Sequence, residues 1–461
     1  MPHYRREGVV AAPSTDVFEW HARQGAFERL TPPWSPVRVV ARSGPALEAG
    51  TRVTLRVPLG PFGIRWVAEH GPSVSGRSFS DRQVAGPFAA WEHEHRFEPR
   101  AAGETTLVDD VRYALPGGWL ALPARPFAQR ALERLFTYRQ RVTAVDVGWH
   151  RRYGGKPMKV AVTGATGLIG SALVPFLRSG GHEVVPLRRL SPNRGGDDDA
   201  SSWDPATGAV SAGVLDGLDA VVHLAGENIA GGRWTAARKA RIRDSRVDGT
   251  RRLAEALAAS QRPPRTLVAA SAVGFYGDRG DEELDESSLP GDGFLPDVCQ
   301  AWEAAAAPAR EAGVRVVHLR IGIVLTPAGG ALGQMLFPFR MGVGGVIGSG
   351  RQYMSWVALD DVLGGMLHAL RTENLAGAVN MVAPQPVTNR QFTKTLGRVL
   401  RRPTIFPLPA FGARLAFGEM ADALLLSSTR VHPARLRQGG FQFGFPGLEE
   451  ALRHVLGRAA P

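Results

Sequence analysis

A glycine-rich turn near residue 164 constrains the fold of this 461-residue chain more than any other segment. The run Lys159–Thr163 is short and apolar, as in a buried strand, and Gly164, Gly167 and Gly170 follow it before a helical pattern begins. Glycines at these places allow a tight turn, close approach of the backbone to a pyrophosphate, and close packing of the helix on the strand. The segment therefore predicts a βαβ unit with a dinucleotide site at the helix N-terminus, where free N–H groups favour phosphate.

The next strand indicates which dinucleotide is bound. It runs over residues 183–187 and is followed by Arg188 and Arg189. An acidic residue here would bond the ribose 2′-hydroxyl of NAD, whereas arginines suit the 2′-phosphate of NADP. We therefore predict NADP, with NAD as the less favoured cofactor. The cofactor contacts predicted from these two segments are Gly164, Ala165, Thr166, Gly167, Leu168, Ile169, Gly170, Arg188 and Arg189.

The first 146 residues have a different pattern, in which short alternating segments precede one long amphipathic helix. Polar and apolar residues alternate over 51–57 and again over 91–97, as in half-buried strands. An apolar stripe with helical spacing covers residues 127–145. The order is a strand, two short helices, several strands and a long terminal helix. This order resembles the START-like helix-grip fold (SRPBCC) of the polyketide cyclase and lipid-binding superfamily.

That resemblance implies an antiparallel sheet curved around the long helix, with a cavity for an apolar small molecule. His93 and His95 share one face of a strand and would point into the cavity. Their spacing is compatible with a metal site, but no third ligand is evident in the sequence. We therefore predict two cavity-lining histidines and no metal.

The chain is thus predicted to contain four segments. Residues 1–146 form the α+β helix-grip domain, and the polar, glycine-containing stretch 147–157 forms a linker. Residues 158–384 form an α/β Rossmann domain with a doubly wound parallel sheet. Residues 385–461 form a small C-terminal subdomain on the substrate side.

Composition excludes several other classes of protein. The net charge of +12 is spread along the chain in proportion to length, whereas nucleic-acid binders concentrate it in a stripe, so no nucleic-acid partner is predicted. The single cysteine, Cys299, rules out an intramolecular disulfide and a cysteine-based zinc site. No apolar run is long enough for a membrane span, and residues 1–13 lack the apolar core of a secretory signal. A reducing, cytoplasmic location is expected. The oligomeric state is left open, with a homodimer as one option.

Several motifs extend the Rossmann prediction to a family. They are HLAGENI at 223–229, RWT at 233–235, SRVDGT at 245–250, ASAVGFYG at 270–277, GSGRQYMSW at 348–356 and GFPGLEEAL at 444–452. Together they resemble the epimerase-like branch of the extended short-chain dehydrogenase/reductase superfamily. The resemblance covers residues 158–457 and implies a nicotinamide-binding fold. It adds Leu224, Ala225, Gly226 and Ser271, at two strand ends, to the predicted cofactor contacts.

The chain departs from that superfamily where the chemistry takes place. Its reductases use a Tyr-x-x-x-Lys pair, in which the lysine lowers the tyrosine pKa. The residues four positions before the four lysines are Arg152, Gly155, Thr235 and Arg390, so this chain has no such pair. Alignment from the 270–277 motif puts Cys299 in the place of the tyrosine and Glu303 in the place of the lysine.

Four residues are therefore candidates for catalysis. Cys299 could transfer a proton, since a free thiol has a pKa of about 8.5, although an ionised Glu303 would raise it. Tyr276 could donate to a substrate carbonyl, and Ser271 lies one residue before the usual hydroxyl position. The alternative for Cys299 is a small buried side chain.

The substrate side departs from the superfamily too. Nucleotide-sugar epimerases carry an arginine that grips the diphosphate, and Met354 occupies its place here. Trp356 follows, and Arg351 lies three residues away. These three substrate-side candidates favour a more apolar substrate. The leading hypothesis is an NADP(H)-dependent oxidoreductase or epimerase-like protein acting on an apolar small molecule. The alternatives are an NADP(H)-binding sensor without turnover, and a nucleotide-sugar epimerase or dehydratase.

Overall fold

Seven antiparallel strands and a long helix make up the N-terminal unit in the computed structural model, which describes residues 1–459 except 36, 45–46, 60–61, 190–201, 205–206 and 212. This unit contains residues 1–155 together with 175–181. Its elements are β1 (His3–Val10), α1 (Ser14–Ala22), α2 (Ala26–Leu30), β2 (Arg38–Arg42), β3 (Arg52–Leu59), β4 (Phe62–Val74), β5 (Ser78–Ala85), β6 (Ala90–Pro99), β7 (Thr105–Ala114) and α3 (Arg125–Arg152). The strand order is β1-β7-β6-β5-β4-β3-β2. The predicted helix-grip arrangement is confirmed.

One face of this sheet carries the core of the unit. On β6, Trp91, His93, His95 and Phe97 are buried, and Glu92 and Glu94 between them are exposed, as the alternation predicts. Two groups of buried aromatic residues occupy the interior. One surrounds Phe18, Phe79 and Phe97, and the other surrounds Trp91 and Phe136.

Helix α3 continues to Arg152, well into the stretch that we predicted as a linker. The reason is burial, because Val147 and Trp149 still lie in the interior. Asp146 is also fully buried, and its carboxylate forms two hydrogen bonds with the guanidinium of Arg29, at 2.7 and 2.9 Å. The polar residues at this point are therefore part of a packed helix.

A parallel sheet forms the centre of the second unit, which contains residues 156–174 and 182–460. Among its described residues the strand order is β10-β9-β8-β11-β12-β14-β18. The elements are β8 (Lys159–Thr163), α4 (Gly170–Ser179), β9 (Glu183–Arg189), β10 (Ser202–Trp203), β11 (Ala220–His223), α5 (Ala236–Ala258), β12 (Thr266–Ala272), β13 (Glu283–Leu284), α6 (Phe294–Ala304), α7 (Ala307–Glu311), β14 (Arg315–Ile321), β15 (Ile323–Leu325), α8 (Gly330–Arg340), β16 (Tyr353–Met354), β17 (Trp356–Ala358), α9 (Leu359–Arg371) and β18 (Gly377–Met381). This confirms the predicted doubly wound Rossmann sheet. Its order reverses between β8 and β11, and ligands of such folds bind at that crevice.

The C-terminal segment is joined to the rest of this unit by two small sheets. Its elements are β19 (Val387–Thr388), α10 (Asn389–Leu400), α11 (Ala410–Phe417), α12 (Glu419–Ala421), β20 (Arg430–Val431), α13 (Ala434–Gln438) and α14 (Leu448–Leu456). Strand β19 pairs with β16, and β20 pairs with β13. The buried carboxylate of Asp361 on α9 accepts hydrogen bonds from the N–H groups of Gly444 and Phe445, at 2.6 and 3.1 Å.

None of the described helices is both long enough and apolar enough to cross a membrane.

Candidate functional site

The glycine turn between β8 and α4 is packed too closely for any side chain at two of its positions. Gly164 has φ of +65°, and a Cβ there would lie 2.7 Å from the carbonyl carbon of Leu224. A Cβ at Gly170 would lie 2.2 Å from the carbonyl oxygen of Gly164. Gly167 donates its N–H to that same oxygen at 2.9 Å. The turn therefore requires glycine, and it leaves a backbone-lined cradle at the N-terminus of α4.

A buried threonine and histidine hold the ends of β8 and β11 together beside this cradle. Thr163 Oγ1 accepts hydrogen bonds from the N–H groups of Leu224 and Ala225, at 3.1 and 3.3 Å. The same oxygen lies 2.7 Å from His223 Nδ1, and His223 Nε2 lies 3.1 Å from Thr250 Oγ1. Burial lowers the pKa of His223 to about 4, so its ring is neutral near pH 7. These contacts fix the loop 224–226 at the point where the strand order of the sheet reverses.

The remaining predicted cofactor contacts also lie at strand ends. Arg188 is exposed near the carboxyl end of β9, and Gly226 is exposed after β11. Arg189 is the last residue of β9, and its side chain is outside the part of the chain that the structure describes. Ser271 is buried near the end of β12, the neighbour of β11 in the sheet.

An ion pair that the sequence did not predict joins two of the catalytic candidates. Arg320 on β14 forms two hydrogen bonds with the carboxylate of Glu303, through Nε to Oε1 and through Nη2 to Oε2, each at 2.8 Å. Ser271 Oγ donates to the same Oε1 at 2.7 Å. The carboxylate of Glu303 is therefore fixed in position by Arg320 and Ser271. The signal in the sequence for this ion pair was Arg320 itself, a charged residue within an otherwise apolar stretch.

Tyr276 belongs to the same hydrogen-bond network, because it also contacts Arg320. Arg320 Nη1 donates to Tyr276 Oη at 3.0 Å, and Tyr276 Oη donates to Asn380 Oδ1 at 2.8 Å. The guanidinium carbon also lies 3.4 Å from the ring centroid of Phe275. Tyr276 has no exposed surface, and burial raises the pKa of its hydroxyl above the usual value. This phenol is thus fixed within the protein interior.

Cys299 lies close to the network without joining it. Its Sγ is 3.8 Å from the carbonyl oxygen of Ala272, and the side chain is buried. Burial, together with the charge of Glu303, raises the pKa of the thiol to about 12. The thiol is consequently neutral near pH 7 and a poor proton donor.

The three substrate-side candidates separate into two environments. Met354 and Trp356 are buried, and Trp356 Nε1 donates to the carbonyl oxygen of Gln385 at 3.1 Å. Met354 Sδ accepts a hydrogen bond from Asn389 Nδ2 at 3.5 Å. Arg351 is exposed. Both apolar side chains therefore pack below the loop, and only the arginine lies at the surface.

In the N-terminal unit, His93 and His95 are buried next to two carboxylates that the sequence did not identify. The strand register places Asp81 of β5 opposite His93, and Asp109 of β7 opposite His95. This register could not be read from the sequence pattern.

Three family models match separate parts of the chain. Residues 160–381 match the model of the NAD dependent epimerase/dehydratase family, and residues 10–137 match that of the polyketide cyclase / dehydrase and lipid transport family. Residues 408–455 match a domain of unknown function, DUF1731. The epimerase family protein Mb2239 of Mycobacterium bovis is 44% identical over 299 residues, which are 65% of this chain and 98% of that protein. The chain belongs to the NAD-dependent epimerase/dehydratase family.

Two solved structures of this family are similar to the chain. A nucleoside-diphosphate sugar epimerase from Corynebacterium glutamicum has a TM-score of 0.79 and 34% identity, covering 98% of this chain and 90% of that one. The human epimerase family protein SDR39U1, crystallised with NADPH, has a TM-score of 0.59 and 37% identity. The similarity covers 65% of this chain and 99% of the human protein in that structure.

Proposed function

We propose that residues 158–384 bind NADP(H), and that the chain uses it to reduce or oxidise a small, apolar carbonyl or hydroxyl compound. The observation that carries this proposal is the glycine cradle at the reversal point of the sheet, where a Cβ at Gly164 or Gly170 would collide with backbone. The NADPH in the human relative, which is 37% identical, supports the choice of cofactor.

The residues that would hold the cofactor have separate tasks. The backbone of residues 164–170 and the N-terminus of α4 suit a pyrophosphate. Arg188 would pair with a 2′-phosphate, which is absent from NAD. When bound, the nicotinamide supplies or accepts the hydride.

We assign the handling of the substrate oxygen to Ser271, and the Glu303 carboxylate beside it would accept the hydroxyl proton in oxidation and, once protonated, return it in reduction. Ser271 Oγ donates to Glu303 Oε1, and in this proposal the same hydroxyl would donate to a substrate oxygen instead. Arg320 is then a positioning residue, because it fixes the carboxylate through two hydrogen bonds. Cys299, with a pKa raised to about 12 by burial, serves as a small buried side chain.

A second candidate function is cofactor binding without turnover. It is favoured by one observation, namely that Cys299 and Tyr276, two of the groups nearest the expected catalytic positions, are both buried with raised pKa values. A protein of this kind would respond to NADP(H) levels through binding alone.

Titration of the full chain with NADPH and with NADH tests the cofactor. Energy transfer from the ten tryptophans to the reduced nicotinamide is the signal. We expect NADPH to bind more tightly, and Arg188→Ala to remove about tenfold of that preference through loss of one charge-assisted hydrogen bond. Gly170→Ala should abolish binding, whereas Gly447→Ala, whose Cβ meets nothing within 4 Å, should not. Equal binding of NADH and NADPH would contradict the role of Arg188.

Turnover distinguishes the two candidate functions. The absorbance of reduced nicotinamide is followed with apolar aldehydes and ketones, and separately with a nucleoside-diphosphate sugar. Reduction that is lost in Ser271→Ala but kept in Cys299→Ala would support the oxidoreductase. NADPH binding without turnover of any compound would favour the binding module. Reaction of the sugar nucleotide alone would point to the activity named for the Corynebacterium glutamicum relative.

A further inference from the structure

A buried group of two histidines and two carboxylates, His93, His95, Asp81 and Asp109, lies in the N-terminal unit. His93 is placed between the carboxylates, with Nδ1 at 3.2 Å from Asp81 Oδ2 and Nε2 at 3.3 Å from Asp109 Oδ1. The rings of His93 and His95 are adjacent, with centroids 4.0 Å apart. Neighbouring strands β5, β6 and β7 supply all four residues, so the sheet itself fixes their spacing.

One nitrogen in this group has no hydrogen-bond partner. His95 Nδ1 lies 2.9 Å from Asp109 Oδ1, but the two are not aligned for a hydrogen bond. The side chain is buried, with only 8% of its surface exposed. A buried polar atom without a partner costs free energy, and a ligand at that point would remove the cost.

The group has the composition of a transition-metal site, and its ligand atoms lie near one another. One ligand atom from each of Asp81, His93 and His95 lies within 4.8 Å of the others. Bonds of about 2.0–2.1 Å around one tetrahedral ion put neighbouring ligand atoms about 3.3 Å apart. Two imidazoles and a carboxylate are typical ligands of zinc and of neighbouring divalent metals.

We propose that Asp81, His93 and His95 bind one divalent transition-metal ion of the zinc class. Asp109 acts as the positioning carboxylate of His93, because its Oδ1 lies 3.3 Å from His93 Nε2 while its Oδ2 accepts a hydrogen bond from Gln140 Nε2 at 2.8 Å. Metal-bound histidines commonly have such a carboxylate behind them. The side chain of Asp81 is 18% exposed and gives the ion a route from solvent.

Without metal, the same residues form an ion pair in which His93 carries a proton. Burial alone would lower the pKa of His93, but hydrogen bonds to Asp109 and Asp81 raise it to about 9. A metal ion would take the place of that proton between the carboxylates. The experiment therefore has to separate a metal site from a permanent imidazolium.

The test uses the full chain without a polyhistidine tag, stripped with a chelator and titrated with Co²⁺. We expect one Co²⁺ per chain, with the visible absorption of a nitrogen- and oxygen-coordinated ion, displaced by Zn²⁺. Asp81→Asn and His95→Gln should remove the absorption, and Asp109→Asn should weaken Co²⁺ binding about 10–100-fold. Far-ultraviolet circular dichroism and the thermal unfolding transition of the N-terminal unit, which contains all of these residues, report whether each variant remains folded.

His21→Gln is the matched control. His21 is buried in the same interior with its ring centroid 5.7 Å from that of His95, and its Nδ1 bonds the carbonyl oxygen of Val17 at 2.8 Å. We expect this variant to bind Co²⁺ like the wild type. Absence of Co²⁺ absorption in the wild type, or absorption that survives in His95→Gln, would overturn the proposal.

Discussion

Removal of Glu303 should destabilise the second unit by about 3–5 kcal/mol, the usual cost of breaking a buried ion pair. The side chains of Arg320 and Glu303 are only 5% and 13% exposed. Glu303→Ala removes the acceptor for Ser271 and for two guanidinium nitrogens. Arg320 would then still donate to Tyr276 Oη, but its buried positive charge would lose the carboxylate that compensates it.

Thermal unfolding of the full chain measures this cost. A domain of this size loses about 2 °C in Tm for each kcal/mol, so we expect a fall of about 6–10 °C in the transition of the second unit. Glu449→Ala is the control, since that carboxylate also binds two arginines, Arg398 and Arg453, but its side chain is 32% exposed. An exposed pair contributes at most about 1 kcal/mol, so the control should lose no more than about 2 °C.

A double variant separates the lost interaction from the stranded charge. In Glu303→Ala with Arg320→Met, no buried charge remains, and replacement of such a pair by apolar groups is often neutral. We expect much of the lost Tm to return. A single variant that unfolds within about 2 °C of the wild type would refute the reasoning, and so would a double variant as unstable as the single one.

Three further outcomes are expected. Between pH 6.5 and 4, His223 becomes protonated in the unfolded chain but stays neutral in the folded one, where burial lowers its pKa to about 4. The free energy of unfolding should therefore fall by about 3 kcal/mol as the pH decreases through this range. Urea titrations of His223→Gln should show a weaker dependence on pH. Cys299, with a pKa raised to about 12, should resist iodoacetamide in the native chain near pH 7 and react once in denaturant; rapid native labelling, measured by mass, would contradict its burial. Asp146→Ala should cost the N-terminal unit about 3–5 kcal/mol, because it removes the buried carboxylate that accepts two hydrogen bonds from Arg29, and a denaturant midpoint equal to that of the wild type would show that this pair is not structural.

The parts of the fold that depend on local constraints could be predicted from the sequence. Gly164 and Gly170 are visible as letters, and the structure requires glycine at both for steric reasons. The alternation over Trp91 to Phe97 likewise gave the buried face of β6. In both cases the sequence pattern and the structural feature that it predicts involve residues close together in the chain.

The candidate site depended on contacts that no local pattern reveals. Arg320 and Glu303 come from a strand and a helix, and their pairing is set by how α6 and β14 pack. Asp81 and Asp109 meet His93 through strand register, which a spacing argument does not supply. The last turns of α3 were missed because the polar stretch 147–157 was interpreted as a linker, whereas Val147 and Trp149 within it are buried.

The pairing of Glu303 with Arg320 also limits how this site can be converted into the tyrosine–lysine form. Glu303→Lys would set an ammonium group against a guanidinium in the interior, with no carboxylate between them. Cys299→Tyr and Glu303→Lys together would therefore be selected against until Arg320 also changed. Since Arg320 also holds Tyr276, that third change would release a second side chain. Introducing a tyrosine–lysine pair at these positions would therefore require coupled changes at Glu303, Arg320 and the side chains that Arg320 holds.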